Sequence, residues 1–110
     1  MNIQIFGKAK CFDTKKAERY FKERRIKFQS VDMVKYGISP REFESVRRAV
    51  GLENLIDGKA KGAELLKYLA YDEDKVEKLL EDQSLIRTPI VRNGKLATVG
   101  YCPEVWKTWE

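Results

Sequence analysis

Two apolar runs near the end of the chain, Pro89-Ile90-Val91-Arg92 and Lys95-Leu96-Ala97-Thr98-Val99, are separated only by Asn93-Gly94. That junction constrains the fold more than any other segment. Asn-Gly between two such runs favours a two-residue hairpin, because a type I′ turn holds both central residues at positive φ. A hairpin alone is marginal in water, so further strands must come from elsewhere in the chain. The N-terminus offers one: Met1-Asn2-Ile3-Gln4-Ile5-Phe6 alternates polar and apolar residues, which predicts a strand over 2–6 rather than a signal peptide. Ala17, Tyr20, Phe21 and Arg24 then recur at spacings of three and four, giving a helix over about 14–24. Phe28 and Val31 mark a second strand within Lys27 to Asp32. A strand, helix, strand run of this length is a βαβ unit, whose strands are expected to be parallel.

Between this unit and the hairpin the pattern is helical. Ser39-Pro40-Arg41-Glu42 combines a capping serine, a proline suited to the first helical position and the glutamate of a capping box. The helix runs through Phe43, Val46, Arg47 and Val50 to a stop at Gly51. A loop and a short helix over about 62–69 come next, then a helix capped by Asp72 that buries Val76, Leu79 and Leu80. After the hairpin and Gly100, Pro103, Val105, Trp106 and Trp109 suggest a closing helix, with the two tryptophans as packing residues. The expected fold is α/β and thioredoxin-like (glutaredoxin-like). It is one domain over 1–110, with a four-stranded mixed sheet and a helical insertion of about 33–84 between strands two and three.

At 110 residues the chain is long enough for one core without disulfides or metals. Its net charge of +5 comes from Lys and Arg mixed with acidic residues, with no long basic run, so direct nucleic-acid binding is not expected. No apolar stretch approaches the roughly 18 residues that span a membrane, and a cytoplasmic, monomeric protein is expected. Histidine is absent, which excludes Cys-His and Ser-His catalytic pairs and disfavours zinc. No bound cofactor or metal is expected. Cys11 and Cys102 are too few for a disulfide scaffold, leaving each as a small buried hydrophobe or a reactive thiol.

Cys11 falls in the turn between the first strand and the first helix. The unpaired N–H groups of a helix start favour thiolate, and Lys8, Lys10 and Lys15 lie close by in sequence. Thr88-Pro89 opens the strand expected beside the first, at a position where a proline removes no ladder bond. The likeness to thioredoxin-like folds, which place a cis-proline here facing the active cysteine, implies that this peptide bond is cis and that the backbone of Thr88 faces Cys11. Arg87 is read either as a ligand for an anionic thiol substrate or as the partner of a surface carboxylate. Asp57-Gly58-Lys59-Ala60-Lys61-Gly62 lacks the ending of a phosphate-binding loop and reads as a solvated turn.

In their order and spacing, Ile3-Gln4-Ile5-Phe6 before Cys11, Leu85-Ile86-Arg87-Thr88-Pro89-Ile90-Val91, Asn93-Gly94-Lys95 and Gly100-Tyr101-Cys102-Pro103-Glu104 resemble the arsenate reductase (ArsC)/Spx family over nearly the whole chain. The resemblance implies a nucleophilic Cys11 beside a cis-proline. It also implies departures from the arsenate-reducing pattern. Lys15 stands four residues after the cysteine, Thr88 stands before the proline and Tyr101 follows the last-strand glycine, where arginines are usual. The loop Gly7-Lys8-Ala9-Lys10 lacks the usual Asn-Pro. Spx-type members, which commonly carry a Cys-x-x-Cys switch and bind RNA polymerase, are closer at Arg87, Lys15, Lys16 and Gly100-Tyr101. In Cys11-Phe12-Asp13-Thr14 a threonine replaces the second thiol, so a local disulfide switch is excluded and Thr14 becomes a candidate donor to the Cys11 thiolate.

The expected activity is monothiol, glutaredoxin-like disulfide chemistry at Cys11. Lys15 and Thr14 would support the thiolate, and Arg87, Thr88 and Pro89 would bind substrate, with glutathione as the thiol co-substrate. The alternative is a transcription regulator that binds RNA polymerase, and arsenate reduction ranks third. Cys102 is expected near the same sheet end as Cys11 but with a packing role.

Overall fold

Four strands, β1 (Ile3–Gly7), β2 (Phe28–Asp32), β3 (Ile90–Asn93) and β4 (Leu96–Val99), form one sheet in the order β2-β1-β3-β4. The computed structural model describes all residues, 1–110. β1 (Ile3–Gly7) pairs in parallel with β2 (Phe28–Asp32) across the helix α1 (Phe12–Glu23). On its other side β1 pairs antiparallel with β3 (Ile90–Asn93), which pairs antiparallel with β4 (Leu96–Val99). Two helices, α2 (Pro40–Val50) and α3 (Asp72–Glu81), and three 3-10 turns at 53–55, 63–68 and 83–85 lie between β2 and β3. A short helix, α4 (Pro103–Trp106), and a final 3-10 turn close the chain. This is the thioredoxin-like layout with the expected insertion. No helix is long and apolar enough to cross a membrane.

Period-two alternation divides the core between the sheet's two faces. Ile3, Ile5 and Val91 pack with Ala17, Tyr20 and Phe21 of α1 and with Trp106, all buried. Trp106 is fully enclosed, and its indole N–H donates to Thr98 Oγ1 at 2.8 Å, so the largest core side chain carries no unpaired donor. The other face presents Phe6 and Ile90 to Phe43 and Val46 of α2 and to Leu55, Leu66, Leu79, Leu85 and Ile86 of the insertion. The insertion is therefore part of the main core.

The capping box at Ser39 is formed: its side chain accepts from Glu42 N at 3.2 Å, and Glu42 Oε1 accepts from Ser39 N at 3.1 Å. Asp72 does not cap α3. Tyr71 occupies the cap position without a side-chain bond, and Asp72, Glu73 and Asp74 instead fill the first turn, where carboxylates favour the positive helix end. The short helix over 62–69 is a 3-10 segment, Ala63–Tyr68. The hairpin also differs by one residue. Asn93 pairs with Leu96 inside the ladder, leaving Gly94-Lys95 as the loop with only Gly94 at positive φ (63°). Glycine at the first loop position is the signature of a type II′ turn. Asn93 also pairs with Ile3, and its Oδ1 accepts from Asn2 N, which holds it in the sheet.

α1 ends in a Schellman pattern. Ile26 N donates to Phe21 O at 2.9 Å and Arg25 N to Lys22 O at 3.1 Å. The left-handed residue is Arg25 (φ 57°), where glycine is usual. The guanidinium of its neighbour Arg24 covers the Tyr20 ring at 3.7 Å.

Candidate functional site around Cys11

Cys11 is the N-cap of α1, in extended conformation (φ −90°, ψ 113°). A tight turn delivers it from β1, with Cys11 N donating to Lys8 O at 3.0 Å. Antiparallel pairing of Phe6 with Ile90 brings the start of β3 to the end of β1, and the residues just before β3 therefore face the cysteine. The Thr88–Pro89 bond is cis, and the Cys11 thiol donates to Thr88 O over 3.6 Å. The sulfur-bearing residue is half-buried, open on one side.

The thiol of Cys11 is held below its ordinary pKa. Partial burial is the largest single influence and opposes ionisation. The hydroxyls of Thr14 and Thr88 and the backbone N–H groups of Thr14 and Asp13, at the helix start, together outweigh it. Thr14 Oγ1 is buried and makes no hydrogen bond. It stands beside the Cys11 sulfur, where its hydroxyl favours the charged form. Gly7 makes this approach possible: a Cβ there would overlap the Thr14 side chain, with Oγ1 at only 2.7 Å.

A cavity of about 670 Å³ opens beside the sulfur, lined by Lys8, Lys10, Cys11, Asp13, Arg87 and Thr88 together with residues 56–59. Ile56 bridges Ile86 in antiparallel fashion, with Asp57 N bonded to Leu85 O and Arg87 N to Leu55 O, both at 2.8 Å. This strip carries Asp57-Gly58-Lys59 across to the thiol, so that segment is a wall of the site as well as a turn. A pattern in the sequence marks it. Leu55-Ile56-Asp57 and Leu85-Ile86-Arg87 are the same apolar pair followed by a charge, and the two pairs meet in the bridge.

Arg87 lines the cavity and forms no ion pair. Its guanidinium passes over Gly100, with Nη2 3.5 Å from where a Cβ would stand. Lys10 and Lys59 are likewise unpaired at the cavity. Lys8 differs, because its Nζ donates to Ser84 O (3.0 Å) and Ile86 O (2.9 Å). Lys15 does not join the cavity. It lines a neighbouring cleft with Glu18, Ser30 and Asp32, because position four of the helix points towards β2. Cys11, Thr14, Arg87, Thr88 and Pro89 are thus brought together and Lys15 is set apart.

Cys102 is also a free thiol. Its Sγ donates to Val99 O at 3.3 Å, and β3 stands between β4 and β1. Burial, assisted by the nearby Glu104 carboxylate, pushes its pKa up despite the opposing charge of Arg87. The two cysteines therefore have opposite electrostatic settings.

Known proteins share this fold. The global transcriptional regulator Spx 2 of Oceanobacillus iheyensis is 29% identical over 107 residues, covering 92% of this chain and 78% of that protein. The arsenate reductase from Vibrio cholerae superposes with a TM-score of 0.83 at 21% identity, over 96% of this chain and 94% of the other. The glutaredoxin-like NrdH-redoxin from Escherichia coli superposes at 0.54 and 14% identity, over 100% and 96% of the two chains, which shows the shared thioredoxin-like fold. The profile of the ArsC family matches residues 6–109, nearly the whole length that builds the sheet, the insertion and the cysteine turn, and the chain belongs to that family.

Proposed function

We propose that the protein is a monothiol thiol–disulfide oxidoreductase with Cys11 as its nucleophile and an anionic thiol, glutathione, as co-substrate. The observation that carries this reading is a half-exposed sulfur with lowered pKa, 3.6 Å from Thr88 O, at the edge of a cavity where Lys10, Lys59 and Arg87 are unpaired. The thiolate attacks one sulfur of a disulfide, forming a mixed disulfide with Cys11 and releasing the other sulfur as a thiolate. When the substrate is a glutathione mixed disulfide, Cys11 takes the glutathionyl sulfur. A free glutathione thiolate then attacks that Cys11–glutathione disulfide, returning Cys11 to thiolate and releasing glutathione disulfide. One glutathione thiol is consumed for each mixed disulfide reduced. Thr14 in place of a second cysteine leaves this outside thiol as the resolving group. Unpaired cations favour carboxylate-bearing substrates, and Arg87 suits a carboxylate through its paired donors.

Turnover of a glutathione mixed disulfide by the purified protein tests the reading. Activity lost in Cys11→Ser, with KM raised several-fold in Arg87→Ala and in Lys59→Ala, supports it. An ordinary thiol titration at Cys11 with no turnover removes it.

The likeness to Spx 2 favours a second reading, a transcription regulator that binds RNA polymerase through its helical faces. Retention of RNA polymerase subunits by the immobilised protein tests it, and absence of retention discards it. The cysteine turn lacks a second thiol, so in this reading binding does not depend on a local disulfide. Arsenate reduction is the third reading. The positions of Lys15, Thr88 and Tyr101 weigh against it, and no turnover of arsenate with glutathione and a glutaredoxin is expected.

A further inference from the structure

Lys8 holds both sides of the contact between Cys11 and Thr88. Its carbonyl accepts the Cys11 N–H at 3.0 Å, fixing the turn that presents the sulfur. Its ammonium reaches Ser84 O and Ile86 O at 3.0 and 2.9 Å, far along the chain. Those carbonyls are the ones the neighbouring strip leaves over, because the Ile56 bridge uses Leu85 O and Arg87 N–H. Ser84 lies in the 3-10 turn at 83–85, and Ile86 is the extended residue that follows it. Lys8 therefore ties the turn to the segment leaving it, while the insertion bonds the same stretch at Leu85 O and Arg87 N. Both lysine bonds are charge-assisted, and they order a long side chain that would otherwise keep its rotamer freedom in water. The held segment leads directly into Arg87, Thr88 and Pro89.

We propose that Lys8 is a positioning residue for the Cys11 thiolate, acting through the Ser84–Ile86 backbone to set where Thr88 meets the sulfur. The inference rests on Cys11 being the reacting thiol and concerns how its environment is held. The Lys8 ammonium is occupied by the Ser84 and Ile86 carbonyls, and through them it keeps the segment leading to Thr88 in place. The charged residues lining the cavity beside the thiol are Lys8, Lys10, Asp13, Asp57, Lys59 and Arg87, so removing Lys8 also removes a charge. Lys10 is a control for that effect, since it lines the same cavity with no tether.

The test is the rate of Cys11 alkylation by iodoacetamide against pH, in a Cys102→Ser background so that one thiol reports. In Lys8→Met the profile moves to higher pH and the rate at pH 7 falls about five- to tenfold. Lys10→Met moves it by less than half as much, and Lys8→Arg, which keeps charge and donors, stays within about twofold of the parent. A Lys8→Met shift no larger than that of Lys10→Met, or no rescue by arginine, overturns the proposal. If Lys8→Met does not fold, Lys8→Gln decides by the same comparison with Lys10→Met. An ordinary profile in the parent would instead remove the proposed function, an outcome separate from a lowered profile that ignores Lys8.

Discussion

The sulfur of Cys11 and the carbonyl oxygen of Thr88 lie 3.6 Å apart, although 77 residues separate them in the chain. Two features of the fold create this contact: the tight turn after β1 and the antiparallel pairing of β1 with β3. The chemistry is set by the groups beside this contact, because the hydroxyl and backbone donors around the sulfur favour its charged form.

The two thiols should titrate in a fixed order. Cys11 is depressed and Cys102 raised, so Cys11 reacts first as pH increases. Stability follows with opposite signs. The contribution of Cys11 is present above the pKa of an unfolded cysteine and is lost as pH falls through its lower folded value. That of Cys102 is present below the unfolded pKa and is lost as pH rises through its higher folded value. Mass-spectrometric mapping of alkylated peptides across pH 5–10 checks the order; Cys102 labelling first would contradict both environments.

Thr14→Val should separate reactivity from stability. The hydroxyl is buried and unpartnered beside the neutral thiol, so its removal leaves stability unchanged or raises it by about 1 kcal/mol. The thiolate loses a donor at the same time, and alkylation at pH 7 slows. Urea unfolding and alkylation kinetics on one preparation measure the two effects. Loss of stability without any slowing would place the hydroxyl elsewhere.

Gly7→Ala introduces a methyl group into the Thr14 side chain. Overpacking of this kind costs about 1–3 kcal/mol. Because Thr14 lies beside Cys11, the midpoint of thermal unfolding and the thiol reactivity should fall together. The double variant Gly7→Ala/Thr14→Ala, which removes the clashing atoms, should recover part of the stability.

Arg25→Gly should stabilise the chain by about 0.5–1 kcal/mol, since the left-handed residue of the α1 terminus carries a side chain there. Chemical denaturation measures it. Alkylation of Cys11, at the opposite end of α1, should not change.

The hairpin, the βαβ unit and the cysteine turn were legible from sequence because their signals are local to the chain, whereas the cis-proline was implied by the resemblance to thioredoxin-like folds. Turn chemistry, period-two alternation and the 39–42 capping box are carried by neighbouring residues. The one-residue slip of the hairpin loop came from Asn93, whose pairing with Ile3 across the sheet outweighs its local preference for the turn. Asp72 suited a cap by residue type, yet the chain enters the helix one residue earlier at Tyr71. The placement of Lys15 and of Asp57-Gly58-Lys59 was hidden for a different reason. Helix rotation sends Lys15 towards β2, and the bridge between Ile56 and Ile86 is a pairing across 30 residues. Lys8 looked like one more charge near a thiol, and only the two carbonyl oxygens at its tip give it another purpose.

The bridge of Ile56 to Ile86 also bears on attempts to simplify the protein. An engineer who pruned the helices after β2 to reach a bare redoxin scaffold would unzip one edge of the Leu85–Arg87 ribbon. The same excision would strip Phe43, Val46 and Leu79 from the apolar face beneath Phe6 and Ile90. Minimisation therefore dismantles the surroundings of Cys11 along with the apparent ornament, and any version that keeps those surroundings retains nearly the present length.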